Sequence, residues 1–167
     1  MTASPHWYRW LWLSVGVLLA DQATKGAILA NIREGDSIGI TTFFSLVLTY
    51  NTGAAFSFLA GASGWQRWFF AAIAVVASII IVALLRRGGS KLYACGLALV
   101  LGGAIGNLLD RILIGKVVDF LLFHYQAWAY PAFNVADSAI TVGATIVIID
   151  SLRRRAPDPA QVPKGIR

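Results

Sequence analysis

The sequence predicts an all-α integral membrane protein: four transmembrane helices with a small external β-structure at their outer end. Three observations carry that reading. Hydrophobic residues make up 57% of the 167 positions and charged residues only 13%, more apolar surface than one soluble core of this size needs. Four stretches, about 10–29, 68–85, 92–114 and 131–152, approach the roughly 20 apolar residues that cross a bilayer. Basic residues, finally, gather at alternate ends of these stretches.

The first span follows His6 and Arg9. Its apolar run passes Asp21 and continues to Leu29, with no small-residue cleavage site behind a short core, so it reads as a retained span and not as a cleaved leader. Next comes a long loop, 30–66, in which Arg33 is set against Glu34 and Asp36. Within it, Ile38 to Tyr50 is rich in β-branched and aromatic residues with partial alternation, which favours strands. Asn51-Thr52-Gly53 supplies a turn after them. Phe43, Phe44, Phe56, Phe58, Trp65 and Trp68 are expected at the lipid interface or along a groove, and the glycines at 61 and 64 fit either motion of the 59–65 stretch or ordinary turn chemistry.

Arg86, Arg87 and Lys91 fill the short loop after the second span, and Arg153, Arg154 and Arg155 close the fourth. With Arg9, these define the cytoplasmic side, leave the 30–66 loop and the loop after Ile114 outside, and put both termini inside. The net charge of +6 is therefore a topology signal and a match to an anionic inner leaflet, with no nucleic-acid partner implied. Residues 1–152 form one membrane domain, and 153–167 a basic tail that frays at Pro157, Pro159 and Pro163. The single cysteine, Cys95, excludes an internal disulfide and reads as a buried thiol.

Carboxylates within or beside membrane spans are costly and therefore informative. Asp21 has Lys25 at i+4, the favourable order for a helical ion pair. Asp110 has Arg111 beside it, and Asp150 has Arg153 and Arg154. The run Gly102-Gly103-Ala104-Ile105-Gly106 allows close helix approach, and Asn107 and Arg111 share a face one turn later. Asp119 and Asp137, at the two edges of a short aromatic loop outside the membrane, have no such local partner. Two carboxyls at one depth can share a proton, one acting as acid and the other as base. On these grounds a hydrolytic dyad, a proton- or ion-coupled transporter using several aspartates, and a structural subunit all stay open. With only His6 and His124, a zinc site would lack ligands, and no local signature supports a serine mechanism through Ser57 or Ser138.

The segments Asp21-Gln22-Ala23-Thr24-Lys25, Asn51-Thr52-Gly53-Ala54-Ala55-Phe56-Ser57, Gly102 to Arg111, Val118-Asp119-Phe120 and Phe133-Asn134-Val135-Ala136-Asp137-Ser138-Ala139-Ile140 resemble, in order and spacing, the blocks of the bacterial lipoprotein signal peptidases, the type II signal peptidases. The resemblance runs from about Asp21 to Gly143. It implies four transmembrane helices, a small external β-structure and a short surface helix, in a protease of the bacterial inner membrane whose active site faces the periplasm. The substrate implied is a diacylglyceryl prolipoprotein held in membrane lipid and cut before its lipidated cysteine. By the same resemblance Asp119 and Asp137 are the catalytic pair, and Asn51, Gly53, Asn107, Arg111 and Asn134 surround them. Asp21 is a further, structural position. No metal or cofactor is implied, and the protein is expected to act as a monomer.

Overall fold

The computed structural model describes residues 6–53 and 64–155. In chain order the elements are α1 (Arg9–Asn31), β1 (Ser37–Gly39), β2 (Phe44–Asn51), α2 (Trp65–Arg87), α3 (Lys91–Leu113), β3 (Val117–Tyr125), β4 (Trp128–Ala129) and α4 (Val135–Arg155). Phe56, Phe58, Ser57 and Gly61 lie outside the described residues, as does the tail beyond 155. Among the described residues no shorter surface helix accompanies the four long ones. Each of the four is long and apolar enough to cross a membrane.

Helix α3 is the hub, packing against α1, α2 and α4. Its composition explains why. A Cβ on Gly102 would meet the Ser14 carbonyl of α1 at 2.7 Å, and one on Gly103 would run into the Ala136 carbonyl and lie 2.8 Å from the Ile140 side chain of α4. Both glycines are therefore fixed by the close approach of backbones. The outward faces are greasy, as bilayer contact demands: Ile73, Val76, Ile79 and Ile80 of α2 and Trp12 and Leu19 of α1 are all exposed. At the end where α1 begins and α2 finishes, Trp7, Trp10 and Leu11 pack on Ile81, Leu85 and Leu97. Ser90 caps α3 by accepting the Tyr93 N–H at 2.9 Å and donates to Asp150 at 2.6 Å. Asp150, expected to lean on Arg153 and Arg154, is thus engaged by Ser90 at the start of α3.

At the opposite end lies an antiparallel sheet in the order β1-β2-β3-β4. The strands expected between 38 and 50 are present. The segment after Ile114, expected as a loop, is instead the longest strand of the sheet, because Val117, Val118 and Phe120 are buried and their backbone groups are met by long-range partners: β2, the Phe133 carbonyl and the Asp110 carboxylate. Val118 and Phe120 pack with Ile28, Ile32 and Leu48, which seats the sheet on the end of α1. The fourth helix starts at Val135, four residues past the expected 131, since Phe133 pairs with Leu121 of β3.

Close approach at Gly103 generates a direct test. Gly103→Val should destabilise the protein by about 3 kcal/mol or more, at or above the upper end of ordinary overpacking. Gly26→Ala, in α1 where a Cβ meets nothing within 4 Å, should be neutral or stabilise by up to about 1 kcal/mol. Thermal unfolding of both variants in detergent distinguishes the two cases, and equal effects would refute the packing account.

Candidate active site

Strand β3 alternates its faces. Val118 and Phe120 point to the core, while Val117 and Asp119 line a cavity of about 640 Å³. The β2–β3 register slips by one residue between Leu46 and Thr49, after which Thr49 faces Asp119 and Asn51 faces Val117. A bulge of this kind turns the strand's remaining side chains to the other face. It makes Asn51 the diagonal neighbour of Asp119, and the Asn51 amide hydrogen-bonds that carboxyl. Asn51 also accepts the Gly53 N–H at 2.9 Å, closing the expected turn.

Asp137 arrives from the first turn of α4. Asn134 is the residue before that helix, and its Oδ1 accepts the Asp137 N–H at 2.8 Å. In return Asp137 Oδ2 accepts the Asn134 N–H at 3.3 Å. This is a reciprocal capping box with aspartate in the position usually held by glutamate. So Asp137 does have a local partner, a neutral cap residue and not a nearby cation. The fully buried Asn134 also donates through Nδ2 to Asp119 Oδ1 at 2.8 Å and to the Val118 carbonyl at 3.1 Å. One asparagine therefore holds both acids.

Behind the pair lies a buried charge cluster. Lys25 Nζ sits 2.7 Å from Asp21 and 2.8 Å from Asp110. The Asp21–Lys25 pair is as expected. Asp110 was expected to lean on Arg111 and instead takes Lys25, because Arg111 extends away to the carbonyls of Asn107 and Gly53, at 3.3 and 3.0 Å, and lies over the Phe70 ring. Lys116, three residues before Asp119, is spent on the Tyr50 ring at 3.3 Å. Asp21 Oδ1 accepts the Ala136 N–H at 2.9 Å, which satisfies another orphan donor at the start of α4.

The geometry gathers all the expected positions. Asn51, Asn107, Arg111, Asp119 and Asp137 line the cavity, Gly53 anchors Arg111, and Asn134 and Asp21 support from behind. Of the expected aromatics, Phe43, Trp65 and Trp68 are exposed, and the rings beside the described cavity are Tyr50, Tyr130 and Phe133. Ser138 donates to the Asn134 carbonyl at 2.9 Å, and His124 pairs with Ser45 on the sheet at 2.8 Å, so among the described residues no serine–histidine pair stands at the cavity. Lys25 and Gln22 were missed as site neighbours, although the i, i+4 spacing to Asp21 already put Lys25 on the right face.

Electrostatics separate Asp119 from an ordinary carboxylate. Burial pushes the Asp119 carboxyl up from its usual 3.8 to about 7, and the nearby Asp137 adds to the rise. Hydrogen bonds from Asn51 and Asn134 and the charge of Lys25 oppose it without cancelling it. A buried carboxyl beside a second one is the arrangement in which one proton is shared.

The chain is similar to known proteins over most of its length. The family model described as signal peptidase (SPase) II matches residues 13–153. A lipoprotein signal peptidase of Ralstonia nicotianae is 58% identical over 146 residues, covering 86% of this chain and 84% of that protein. One from Paraburkholderia phytofirmans is 54% identical over 146 residues, covering 87% and 85%. A bacterial membrane enzyme solved in meso at 2.3 Å superposes with a TM-score of 0.83 at 28% identity, over 100% of this chain and 99% of its own. A second, solved at 1.9 Å, gives 0.78 at 30% identity over 92% and 98%. The transporter alternative finds no support in these relatives. With four helices long and apolar enough to cross a membrane, a small antiparallel sheet and a match over most of its length, this chain belongs to the signal peptidase II family.

Proposed function

We propose that this protein is an aspartic endopeptidase that removes the signal peptide of diacylglyceryl-modified prolipoproteins, cutting on the amino side of the lipidated cysteine. The observation that supports this most directly is Asn134, which joins Asp119 and Asp137 at the wall of one cavity. Its relatives are named lipoprotein signal peptidases. The setting is the bacterial inner membrane, with both termini in the cytoplasm and the cavity toward the periplasm, in keeping with Arg86, Arg87, Lys91 and Arg153 at the other end of the bundle. Ile140, Thr141 and Val142 of the spanning helix α4 form part of the cavity wall, so a substrate anchored by its acyl chains can reach the dyad from within the bilayer.

Asp119, with its raised pKa, is the protonated partner, and Asp137, whose two oxygens each accept an N–H, is the ionised one. Water between them loses a proton to Asp137 as its oxygen bonds the scissile carbonyl carbon, while Asp119 gives its proton to the carbonyl oxygen. The neutral tetrahedral diol then collapses: the C–N bond breaks, the amine leaves with the proton held by Asp137, and a hydroxyl proton returns to Asp119. Arg111 and Asn51 are placed to orient the peptide backbone, an electrostatic contribution made without reorganisation.

Purified protein in lipid nanodiscs with a diacylated prolipoprotein tests this. Asp119→Asn and Asp137→Asn should each lower kcat by at least about a thousandfold, in the range of a lost general acid–base group. Cleavage by either folded variant at the wild-type rate would defeat the assignment. Wild-type kcat should fall as pH rises through about 7, where Asp119 loses its proton.

The same group makes a stability prediction. Below pH 3.8 the Asp119 carboxyl is protonated in folded and unfolded chains alike. As pH rises from there to about 7 the unfolded chain ionises while the fold resists, so folding loses at most about 4 kcal/mol. Asp119→Asn removes that loss. The variant should melt higher than wild type at pH 8, with the gain fading toward pH 4, and a pH-independent difference would show that burial of this charge is not responsible.

A further inference from the structure

We propose that Lys25 is a positioning residue for the dyad: from behind the cavity wall its ammonium fixes which way the Asn107 amide points, and so makes Asp137 the proton-accepting carboxyl. The inference rests on the dyad reading above and adds to it a residue that never touches substrate. Lys25 is 2% exposed and does not line the cavity.

An ammonium has three donors and no acceptor. Those of Lys25 reach Asp21 at 2.7 Å, Asp110 at 2.8 Å and Asn107 Oδ1 at 3.1 Å. Asn107 Oδ1 also lies 3.2 Å from Asn134 Nδ2, whose two hydrogens are shared among it, Asp119 Oδ1 and the Val118 carbonyl. Two donors on one face of the amide force its oxygen there, and its NH₂ is turned to Asp137 Oδ1 at 2.7 Å. A flipped amide would set NH₂ against an ammonium and a second NH₂, and a carbonyl against a carboxylate. The hydrogen-bond sense therefore runs from Lys25 through Asn107 to Asp137. With Asp137 Oδ2 accepting the Asn134 N–H, both oxygens receive donors, the pattern that favours a carboxylate over a carboxylic acid.

Other titratable groups face the same carboxyl: Asp119, the protonated partner, from β3, the anionic Asp21 from α1 and the cationic Arg111 from α3, while Asp110 of α3 sits against Lys25. Of the two cations, Lys25 alone acts through a directed amide, since Arg111 is turned to the Asn107 and Gly53 carbonyls.

The test measures kcat and KM against pH in nanodiscs for wild type, Lys25→Gln, Lys25→Arg and the double variant Lys25→Gln/Asp110→Asn. One cation and two carboxylates give the native cluster a formal charge of −1, and the double variant keeps it at −1 with Asp21 alone, so two buried acids are not left facing each other. For Lys25→Gln and the double variant we expect kcat at pH 7 to fall at least tenfold, KM to stay within twofold, and the acid limb of the kcat profile to move to higher pH by about one unit. Lys25→Arg should keep the limb near its wild-type position. Activity lowered equally at every pH, a change confined to KM, or failure of the charge-conserving double variant to fold would each make Lys25 merely structural and overturn the proposal. Asp119→Asn and Asp137→Asn measured alongside separate the two ideas. If either still cleaves, the dyad itself falls, whereas inactive dyad variants with an unshifted Lys25 profile sink only the positioning role.

Discussion

Lys25 lies between Asp21 and Asp110 in the middle of the helical bundle, and nearly every element that carries a site residue is bonded to that triad. Asp21 reaches the start of α4 through the Ala136 N–H. Asp110 accepts from Gln22 of α1 at 3.0 Å and from the Val118 N–H of β3 at 3.1 Å. Such a buried pair adds little net stability over an apolar core, but loss of one partner is severe, about 3–5 kcal/mol. What the triad supplies is registration. It fixes the heights of α1, α3, β3 and α4 against one another, which van der Waals packing of small residues in lipid specifies less sharply.

Local helix chemistry and the geometry of the proposed dyad use the same atoms. Asp137 is the N3 member of a capping box and stands at the positive end of α4, where a negative charge is favoured. Asn134 is its N-cap and at the same time the donor to Asp119. The spacing of the acids is therefore set by one asparagine with no free rotamer, not by the flexibility of two loops. Preorganisation of this kind keeps reacting groups in place before substrate arrives. It also limits tolerance: a change at Asn134 would unseat a helix start and both carboxyls together.

Much of this was legible in the sequence, and what was not has a physical reason. Four spans followed from apolar length, and the Asp21–Lys25 pair from i, i+4 spacing, because both are local signals. Asp110 was matched to Arg111 by adjacency, yet residues i and i+1 on a helix do not face each other, and the true partner comes from another helix. The strand at 117–125 was missed because buried residues on both faces of its first half erase the alternation that marks a strand. The link between Asn134 and Asp137 was readable: a cap residue, three positions, an acid and then an apolar run is the signature of a helix start. Nearby cations do not reveal it, because the partner is a neutral asparagine.

Asp119 belongs to the sheet and Asp137 to the bundle, so any hinge between those layers would separate them. Phe133 removes that freedom. Its carbonyl accepts from Phe120 at 3.0 Å and Leu121 at 2.8 Å, and its N–H donates to Leu121 at 3.1 Å, immediately before Asn134 begins the helix. Strand and helix are thereby joined one residue from the dyad. Arg111 applies a second clamp on the far side of the cavity, holding the Gly53 carbonyl and with it the end of β2. The bulge between Leu46 and Thr49 lies on the same strand and aims Asn51 at Asp119. Both walls of the cavity are consequently pinned at the level of the acids, and adaptation to a substrate must come from parts of the wall beyond those pins, where α4 presents Thr141 and Val142 toward the bilayer.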